Sequence, residues 1–262
     1  MADHLSDATP VRILWTGGWD STFQLLQLLT VHRAHVSPIY LIDEDRRSTG
    51  VEIVTMKRIK ERLFARYPDT KRLLLPTQYF GVADISPNEA ISEAFVRLRE
   101  RYSIGVQFDW LARFCDEHSL YGVQLCLERY VGGITYTSIA DVMIEAMNDH
   151  RSTFQIGEQF ADTDQYCVFK YFSFPLFNTP KFDTLSISRE QGFDEIMRMT
   201  WFCHRPRRGM KPCGVCTPCL YVMREGFGWR MPLSSRVRYH VVRGIVPQSK
   251  ALGKRVLRSL RS

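Results

Sequence analysis

The sequence has no uninterrupted apolar run that approaches the roughly 18–20 residues needed for a membrane-spanning helix. Its first residues, Met1–Asp7, lack the basic, apolar and small-residue sections of a secretory signal peptide. No internal repeat or low-complexity tract occurs in the 262 residues, of which 45% are hydrophobic. We therefore expect a globular, cytoplasmic protein with one large core and with no membrane among its partners.

Acidic residues are absent from Gly226 to Ser262, a segment that contains nine lysines and arginines. The other 225 residues carry 26 basic and 28 acidic side chains, so the net charge of +7 belongs to this segment. A nearly neutral body argues against a fold that binds nucleic acid over its whole surface. The final stretch, Lys250–Arg261, has apolar residues at helical spacing. It predicts a contact with RNA, DNA or an acidic protein, or else an end helix docked on its apolar side.

Cysteine occurs in an odd number, seven, which does not suggest a framework of paired disulfides. Four of the seven lie within seventeen residues, which in a cytosolic chain indicates thiols and a metal. These four are Cys203, Cys213, Cys216 and Cys219. Cys115 and Cys126 fall inside predicted elements, and we interpret both as buried core thiols.

Short apolar runs alternate with helical patterns along the first half of the chain, as is typical of a parallel sheet buried on both faces. The predicted strands are Val11–Trp15, Ile39–Ile42, Arg72–Leu75 and Gly122–Glu128. The predicted helices are Ser21 to about Val31, a segment through Ile53 and Leu63, one capped by Ser86, and Phe108–His118. An aromatic-rich stretch over 129–184 is interpreted as core or pocket wall. This order predicts an α/β fold with a doubly wound, mainly parallel, Rossmann-like sheet.

Two glycines follow the first predicted strand, in Leu14-Trp15-Thr16-Gly17-Gly18-Trp19-Asp20-Ser21-Thr22. Glycine lets the backbone turn tightly and approach a ligand, and the first amides of the next helix point at whatever anion lies over its start. No Gly-Lys-Ser/Thr follows the glycines, which excludes a Walker A loop. The stretch predicts a phosphate-binding loop. The alternative is a Gly-Gly turn followed by a helix with a Ser, Thr or Asp cap, and for Asp20 the alternative role is that of N-cap.

The clustered cysteines have the spacing Cys203-x9-Cys213-x2-Cys216-x2-Cys219, which can close a tetrahedral zinc site. Four protein ligands would leave no open position, so such a zinc would be structural. A 4Fe–4S cluster and unmetallated thiols are the two alternatives.

The glycine loop resembles the Ser-Gly-Gly-x-Asp-Ser signature of the PP-loop ATP pyrophosphatases, with Thr16 in place of the first serine. Near the other end, Thr200-Trp201-Phe202-Cys203 and Cys213-Gly214-Val215-Cys216-Thr217-Pro218-Cys219 resemble the zinc motif of the 7-cyano-7-deazaguanine synthases within that superfamily. The segment with Pro175-Leu176, Lys181 and Met197 resembles the one that precedes this motif. The resemblance implies a PP-loop, HUP-like version of the α/β fold with a small C-terminal zinc-binding region.

The resemblance also implies an ATP-dependent carbon–nitrogen ligase of the kind used in queuosine biosynthesis. Such an enzyme adenylates 7-carboxy-7-deazaguanine or a similar acid and releases pyrophosphate. Ammonia or another amine then displaces AMP and gives an amide, and the amide formed from ammonia is dehydrated to a nitrile in a second activation. Two stretches of the family, Asp-Tyr-Gly-x-x-His and Tyr-Pro-Asp-Cys-Arg, are absent, and Asp43–Arg47 and Asn148–Arg151 stand nearest to their places. The acid, the amine and the final product therefore stay open. The resemblance also implies a homodimer, because members of this family tend to form homodimers.

The resemblance assigns ATP binding to the nine residues from Leu14 to Thr22, and catalysis to Asp20, Ser21 and Lys181. Asp20 is expected to act through Mg²⁺ or by shaping the loop, since two anions repel. The hydroxyls of Ser21 and Thr22 are expected to donate to pyrophosphate, and Lys181 to oppose its charge. Alternatively, Lys181 is a solvated surface lysine, and the phosphate contacts are Arg205, Arg207, Arg208 and Lys211. Adenylation needs no protein nucleophile, because the substrate carboxylate attacks phosphorus.

The predicted organisation is a flexible arm (1–10), an ATP-binding α/β domain (11–195), a zinc-binding region (196–246) and a basic tail (247–262). Two other functions stay open at this point. One is a PP-loop enzyme that modifies tRNA, such as a thiolase or a lysidine-type ligase, with the tail holding the RNA. The other is a zinc-bearing scaffold that binds nucleotide without catalysis.

Overall fold

The structure, a computed structural model, describes residues 9–129, 134–148 and 151–243. It divides into two compact units. The first contains the described residues up to Glu44 together with Thr55–Thr200, and the second contains Asp45–Val54 together with the residues from Trp201 on. The predicted basic tail lies outside the described residues, as does the predicted arm apart from Thr9 and Pro10.

All strands found in the described residues belong to the first unit. They are β1 (Val11–Leu14), β2 (Val36–Ile42), β3 (Gln78–Gly81), β4 (Val123–Gln124), β5 (Met143–Asn148), β6 (Arg151–Ile156) and β7 (Phe172–Ser173). Five of them form one sheet in the order β3-β2-β1-β4-β7, and every neighbouring pair is parallel. The other two, β5 and β6, form an antiparallel hairpin. The predicted α/β class and the mainly parallel sheet are confirmed.

The helices precede and follow the strands as expected of this class. They are α1 (Trp19–Leu26), α2 (Thr49–Arg66), α3 (Thr70–Leu73), α4 (Glu89–Arg101), α5 (Gln107–Glu117), α6 (Ile134–Ile139), α7 (Asp164–Phe169), α8 (Lys181–Glu190), α9 (Asp194–Arg198), α10 (Thr217–Arg224) and α11 (residues 233–243). A π-helical stretch, Gln27–Val31, continues α1. Across the described ranges, none of these helices has the length and apolar character to cross a bilayer.

The core of the first unit explains the apolar patterns. Every residue of α1 except Asp20 is buried, as expected for a helix that packs against the sheet. Phe169 and Phe174, from the aromatic-rich stretch, are fully buried and confirm its role in the core. Cys115 is also fully buried, whereas Cys126 is only partly buried at the end of β4.

Three local predictions were wrong. The third strand is not Arg72–Leu75, because Thr70–Leu73 forms a helical turn and Leu74 makes a single bridge to Val36. The strand is β3 instead, paired with β2 in the register Ile39↔Gln78. Predicted strand Gly122–Glu128 contracts to the two residues of β4. Helix α4 is capped by Asn88, whose side chain accepts from the amide of Ile91, while the Ser86 hydroxyl donates to Glu117.

Candidate functional site

The glycine loop lies where the winding of the sheet reverses. Strand β1 has β2 on one side and β4 on the other, and the chain leaves β1 towards β2 and β3 before it returns to β4. In open α/β sheets of this kind, ligands bind outside the carboxyl ends of the strands at such a switch point. The residues that follow β1 and those that follow β4, Leu125–Arg129, are therefore the candidates for a site.

The backbone of the loop requires its first glycine. Gly17 has φ of +70°, a conformation that residues with a side chain rarely adopt. A Cβ atom at Gly17 would also lie 3.2 Å from side-chain atoms of Thr55 and Met56. Gly18 is the N-cap of α1 and has no side chain to cap it, so the alternative of Asp20 as N-cap is wrong. The first amides of α1 are left without a partner within the helix, as an anion site requires.

The neighbours of the glycines are held by buried hydrogen bonds. The indole Nε1 of Trp15 donates to Oγ1 of Thr22 at 3.0 Å, and the hydroxyl of Thr22 is fully buried. The indole Nε1 of Trp19 donates to Oγ1 of Thr184 in α8 at 2.8 Å. The buried hydrogen bond between Trp15 and Thr22 therefore stabilises the conformation of the loop. The predicted contact of Thr22 with pyrophosphate stays a prediction, as does that of Ser21.

The side chain of Asp20 has one carboxylate oxygen without a hydrogen-bond partner among the described residues. Its Oδ1 atom is buried and accepts no hydrogen bond from the described residues. A buried carboxylate oxygen is costly without a donor or a cation, so this atom fits a cation ligand. Burial, together with the negative charge of Asp20, raises the pKa of the Cys126 thiol well above its usual value.

Lys181 forms an ion pair that the sequence did not predict. Its Nζ lies 2.7 Å from Oε1 of Glu128, and the two side chains are only 18% and 13% exposed. The alternative of a solvated surface lysine is therefore wrong. Glu128 lies in the segment after β4, and a backbone hydrogen bond from Arg129 to Thr179 joins that segment to the start of α8.

The same turn of α8 connects Lys181 to the loop. The carbonyl of Lys181 accepts from Oγ1 of Thr184 at 2.8 Å, and Thr184 is the residue that accepts from Trp19. Hydrogen bonds and an ion pair thus connect the loop, Lys181 and Glu128 at the switch point of the sheet. Sequence reasoning missed Glu128, although its place at the carboxyl end of a predicted strand beside β1 was a usable signal.

Of the stretch 148–151, the structure describes the two ends, Asn148 and Arg151. Asn148 and Arg151 pair in the β5–β6 hairpin. The pKa of His32 is lowered by its burial and, to a smaller extent, by the positive charge of Arg151. His32 follows the π-helical end of α1, the end opposite to the glycine loop.

The second unit holds the four clustered cysteines. Their Sγ atoms all lie within 4.8 Å of one another, and neighbouring pairs are separated by 3.5 Å (Cys216–Cys219), 3.8 Å (Cys203–Cys216) and 3.9 Å (Cys213–Cys219). All four are buried and none forms a disulfide. A tetrahedral zinc with Zn–S bonds of about 2.3 Å needs sulfur–sulfur distances of about 3.8 Å. The cluster can therefore hold a metal ion such as zinc.

Backbone amides around the cysteines point at the sulfurs. The amide of Cys213 donates to Sγ of Cys203 at 3.1 Å, and that of Cys216 donates to Sγ of Cys213 at 3.2 Å. Hydrogen bonds among the buried thiols lower the pKa of Cys216 and raise the pKa of Cys203. Backbone amides that donate to sulfur stabilise thiolates, which are the form that binds metal.

Gly214 shows why the turn between the cysteines is tight. Its φ is +82°, and a Cβ atom there would lie 2.3 Å from the carbonyl oxygen of Ser235. Ser235 in turn donates from Oγ to the carbonyl of Pro212 at 2.6 Å. The turn that carries the cysteines is thereby fastened to α11.

A buried acid, Glu52, lies in the same unit. It is 4% exposed, accepts from Oγ of Ser48 at 2.7 Å and lies 3.4 Å from Nε of Arg46. Ser48 and Arg46 both lie in the segment between β2 and α2. The alternative phosphate contacts are exposed residues of this unit, and their role stays a prediction. They are Arg205, Arg207, Arg208 and Lys211.

No protein-family model matches the chain, and no curated protein matches it.

Proposed function

We propose that the chain is a PP-loop ATP pyrophosphatase related to the 7-cyano-7-deazaguanine synthases. It would act as an ATP-dependent carbon–nitrogen ligase, with AMP and pyrophosphate as products. The observation that carries this proposal is the loop Thr16–Thr22 at the switch point of a parallel sheet, with the Oδ1 atom of Asp20 buried and unpaired among the described residues.

The proposed reaction has two steps. A carboxylate oxygen of the acid attacks the α-phosphorus of ATP, and the bond to the β-phosphate oxygen breaks, so that pyrophosphate leaves. An amine then attacks the acyl carbon, AMP leaves with the former carboxylate oxygen, and the amine loses a proton. Catalysis of both steps depends on orientation and on stabilising the leaving charge rather than on a protein nucleophile.

The start of α1, Asp20, Ser21 and Lys181 have separate parts in this scheme. The first amides of α1 and the hydroxyl of Ser21 would bind the leaving pyrophosphate. Asp20 would hold Mg²⁺, which would supply positive charge to the phosphates. Lys181 is a cation whose position Glu128 fixes, at one helical turn from the residue that binds Trp19.

The four cysteines would hold zinc in a structural role. All four ligand positions would come from the protein, which leaves none for water or substrate. The zinc would therefore stabilise the second unit and take no part in the chemistry.

The experiment incubates the protein with ATP, Mg²⁺, 7-carboxy-7-deazaguanine and ammonia or a panel of amines, and measures products by mass spectrometry. We expect AMP and pyrophosphate in equal amounts with an amide or a nitrile. Asp20→Ala should lower the rate by roughly 10²–10³-fold, as the loss of a key charge contact does. The matched control is Asp162→Ala, which removes an exposed acid of the first unit. Formation of ADP, or an Asp20→Ala variant as active as the control, would overturn the proposal.

A further inference from the structure

The last described helix, α11, is bound to the rest of its unit by one narrow face. Only Ser235 and Tyr239 are buried, at 1% and 6% exposure, and they lie one turn apart. The other residues of α11 are exposed. Because residues four apart share a face, the helix rests on the turn of Ser235 and presents the remainder of its surface outward.

The outward face is apolar. Leu233, Val237 and Val241 are 68%, 52% and 51% exposed. At about 100° per residue they fall within an arc of about 80°, whose centre is about 180° from the midpoint of Ser235 and Tyr239. The stripe therefore points directly away from the buried face, where no described residue covers it.

Basic residues border the stripe on both sides. On the helical wheel, Arg236 and His240 lie on one side and Arg238 on the other, and all three are exposed. The helix has no acid, and none occurs from Gly226 to Ser262. An apolar stripe bordered by arginines is the pattern of a helix that lies in the headgroup layer of a membrane.

We propose that the face of α11 formed by Leu233, Val237 and Val241 binds reversibly to membrane surfaces that contain anionic lipid. The stripe enters the boundary between headgroups and acyl chains, and the flanking arginines pair with lipid phosphate and carboxylate groups. This proposal is independent of the ligase activity. It replaces the expectation of no membrane partner. That expectation depended on the absence of a membrane-spanning segment and did not take the exposed apolar side chains of α11 into account.

Other partners use only part of this surface. Nucleic acid would engage the arginines and leave the stripe in water. A second copy, stripe to stripe, would bring arginines against arginines with no acid on the helix to pair with them. A protein partner needs about 800 Å² on each side, far more than three aliphatic side chains provide. An anionic lipid surface uses both the stripe and its borders.

The test floats the full-length, metal-loaded protein with vesicles of phosphatidylserine and phosphatidylcholine, or of phosphatidylcholine alone, at physiological salt. We expect binding to the mixed vesicles only. The double variant Val237→Ser/Val241→Ser should bind roughly tenfold more weakly. Val96→Ser/Val106→Ser is the matched control, because these valines of the first unit are 53% and 58% exposed, and it should bind like the wild type. Unchanged circular dichroism and metal content would establish that the stripe variant is folded.

Several results would overturn the proposal. One is equal flotation with both kinds of vesicle, and another is full binding by the stripe variant. Single-stranded RNA that binds wild type and stripe variant alike, with no flotation of either, would assign the surface to nucleic acid. A dimer in light scattering that the stripe variant loses, again without flotation, would assign it to a second copy. The charge variant Arg236→Gln/Arg238→Gln should weaken binding to the mixed vesicles, and failure to do so would also contradict the proposal.

Discussion

The indole of Trp19 donates a hydrogen bond to the buried hydroxyl of Thr184, 165 residues further along the chain, at 2.8 Å. Trp19 belongs to the glycine loop, and Thr184 lies in the first turn of α8, which begins with Lys181. This bond therefore fixes the distance between the proposed phosphate-binding loop and the proposed cation. Shape of the site and stability of the first unit depend on the same contact.

Replacing Thr184 by valine should test that dependence. The change keeps the side-chain shape but removes the hydroxyl that accepts from the buried indole N–H of Trp19, which should cost about 1–3 kcal/mol of the free energy of unfolding. Denaturation in urea measures this loss. In the folded variant, KM for ATP should rise by about tenfold because the loop is less well held. Unchanged stability and KM would show that the bond contributes to neither.

The pair Lys181–Glu128 should separate stability from catalysis. Lys181→Met removes the ion-pair partner of the largely buried carboxylate of Glu128, and should destabilise the first unit by about 3–5 kcal/mol. The double variant Lys181→Met/Glu128→Gln removes both charges and should recover most of that loss in urea denaturation. Its kcat should nevertheless stay far below the wild type if Lys181 stabilises the leaving pyrophosphate. A double variant with normal kcat would reduce the lysine to a structural role.

Metal content should depend on the clustered cysteines alone. Cys216→Ser should abolish stoichiometric zinc, measured by inductively coupled plasma mass spectrometry, and should unfold the second unit, because structural zinc contributes on the order of 10 kcal/mol. Cys167→Ser, at a partly buried cysteine of the first unit, is the control and should keep its zinc. Iron and sulfide in place of zinc would identify a cluster instead. Retention of zinc by Cys216→Ser would contradict the four-cysteine site.

Stability at alkaline pH should reveal the buried thiol of Cys115. Burial raises its pKa from 9.0 to about 12, so the folded state keeps a proton that the unfolded chain releases. Its contribution to the free energy of unfolding is complete below pH 9 and falls by about 1.4 kcal/mol per pH unit above it. Urea denaturation of wild type and Cys115→Ala between pH 8 and 11 should therefore give curves that converge as pH rises. Parallel curves would show that this thiol does not titrate differently on folding.

The parts of the site that could be predicted are local in sequence. The glycine loop and the cysteine turns each depend on residues within about ten positions of one another, so their spacing carries the geometry. Gly17 and Gly214 stand within these two motifs, and each has a conformation that residues with a side chain rarely adopt.

The parts that could not be predicted depend on distant packing. Lys181 and Glu128 are joined only because β4 lies beside β1 and α8 returns to the same edge of the sheet. The apolar run Arg72–Leu75 was compatible with a strand or a helical turn, and pairing of β3 with β2 decided it. The exposure of the α11 stripe depends on which face Ser235 anchors, which composition does not encode.

The central claim is that the loop Thr16–Thr22 serves attack of a carboxylate on the α-phosphorus of ATP. The most direct measurement uses 7-carboxy-7-deazaguanine labelled with ¹⁸O in its carboxylate, with an amine and ATP, followed by mass spectrometry of the nucleotide product. The account predicts AMP that carries one ¹⁸O atom, lost in Asp20→Ala and kept in Asp162→Ala. Unlabelled AMP, or ADP as the nucleotide product, would contradict it.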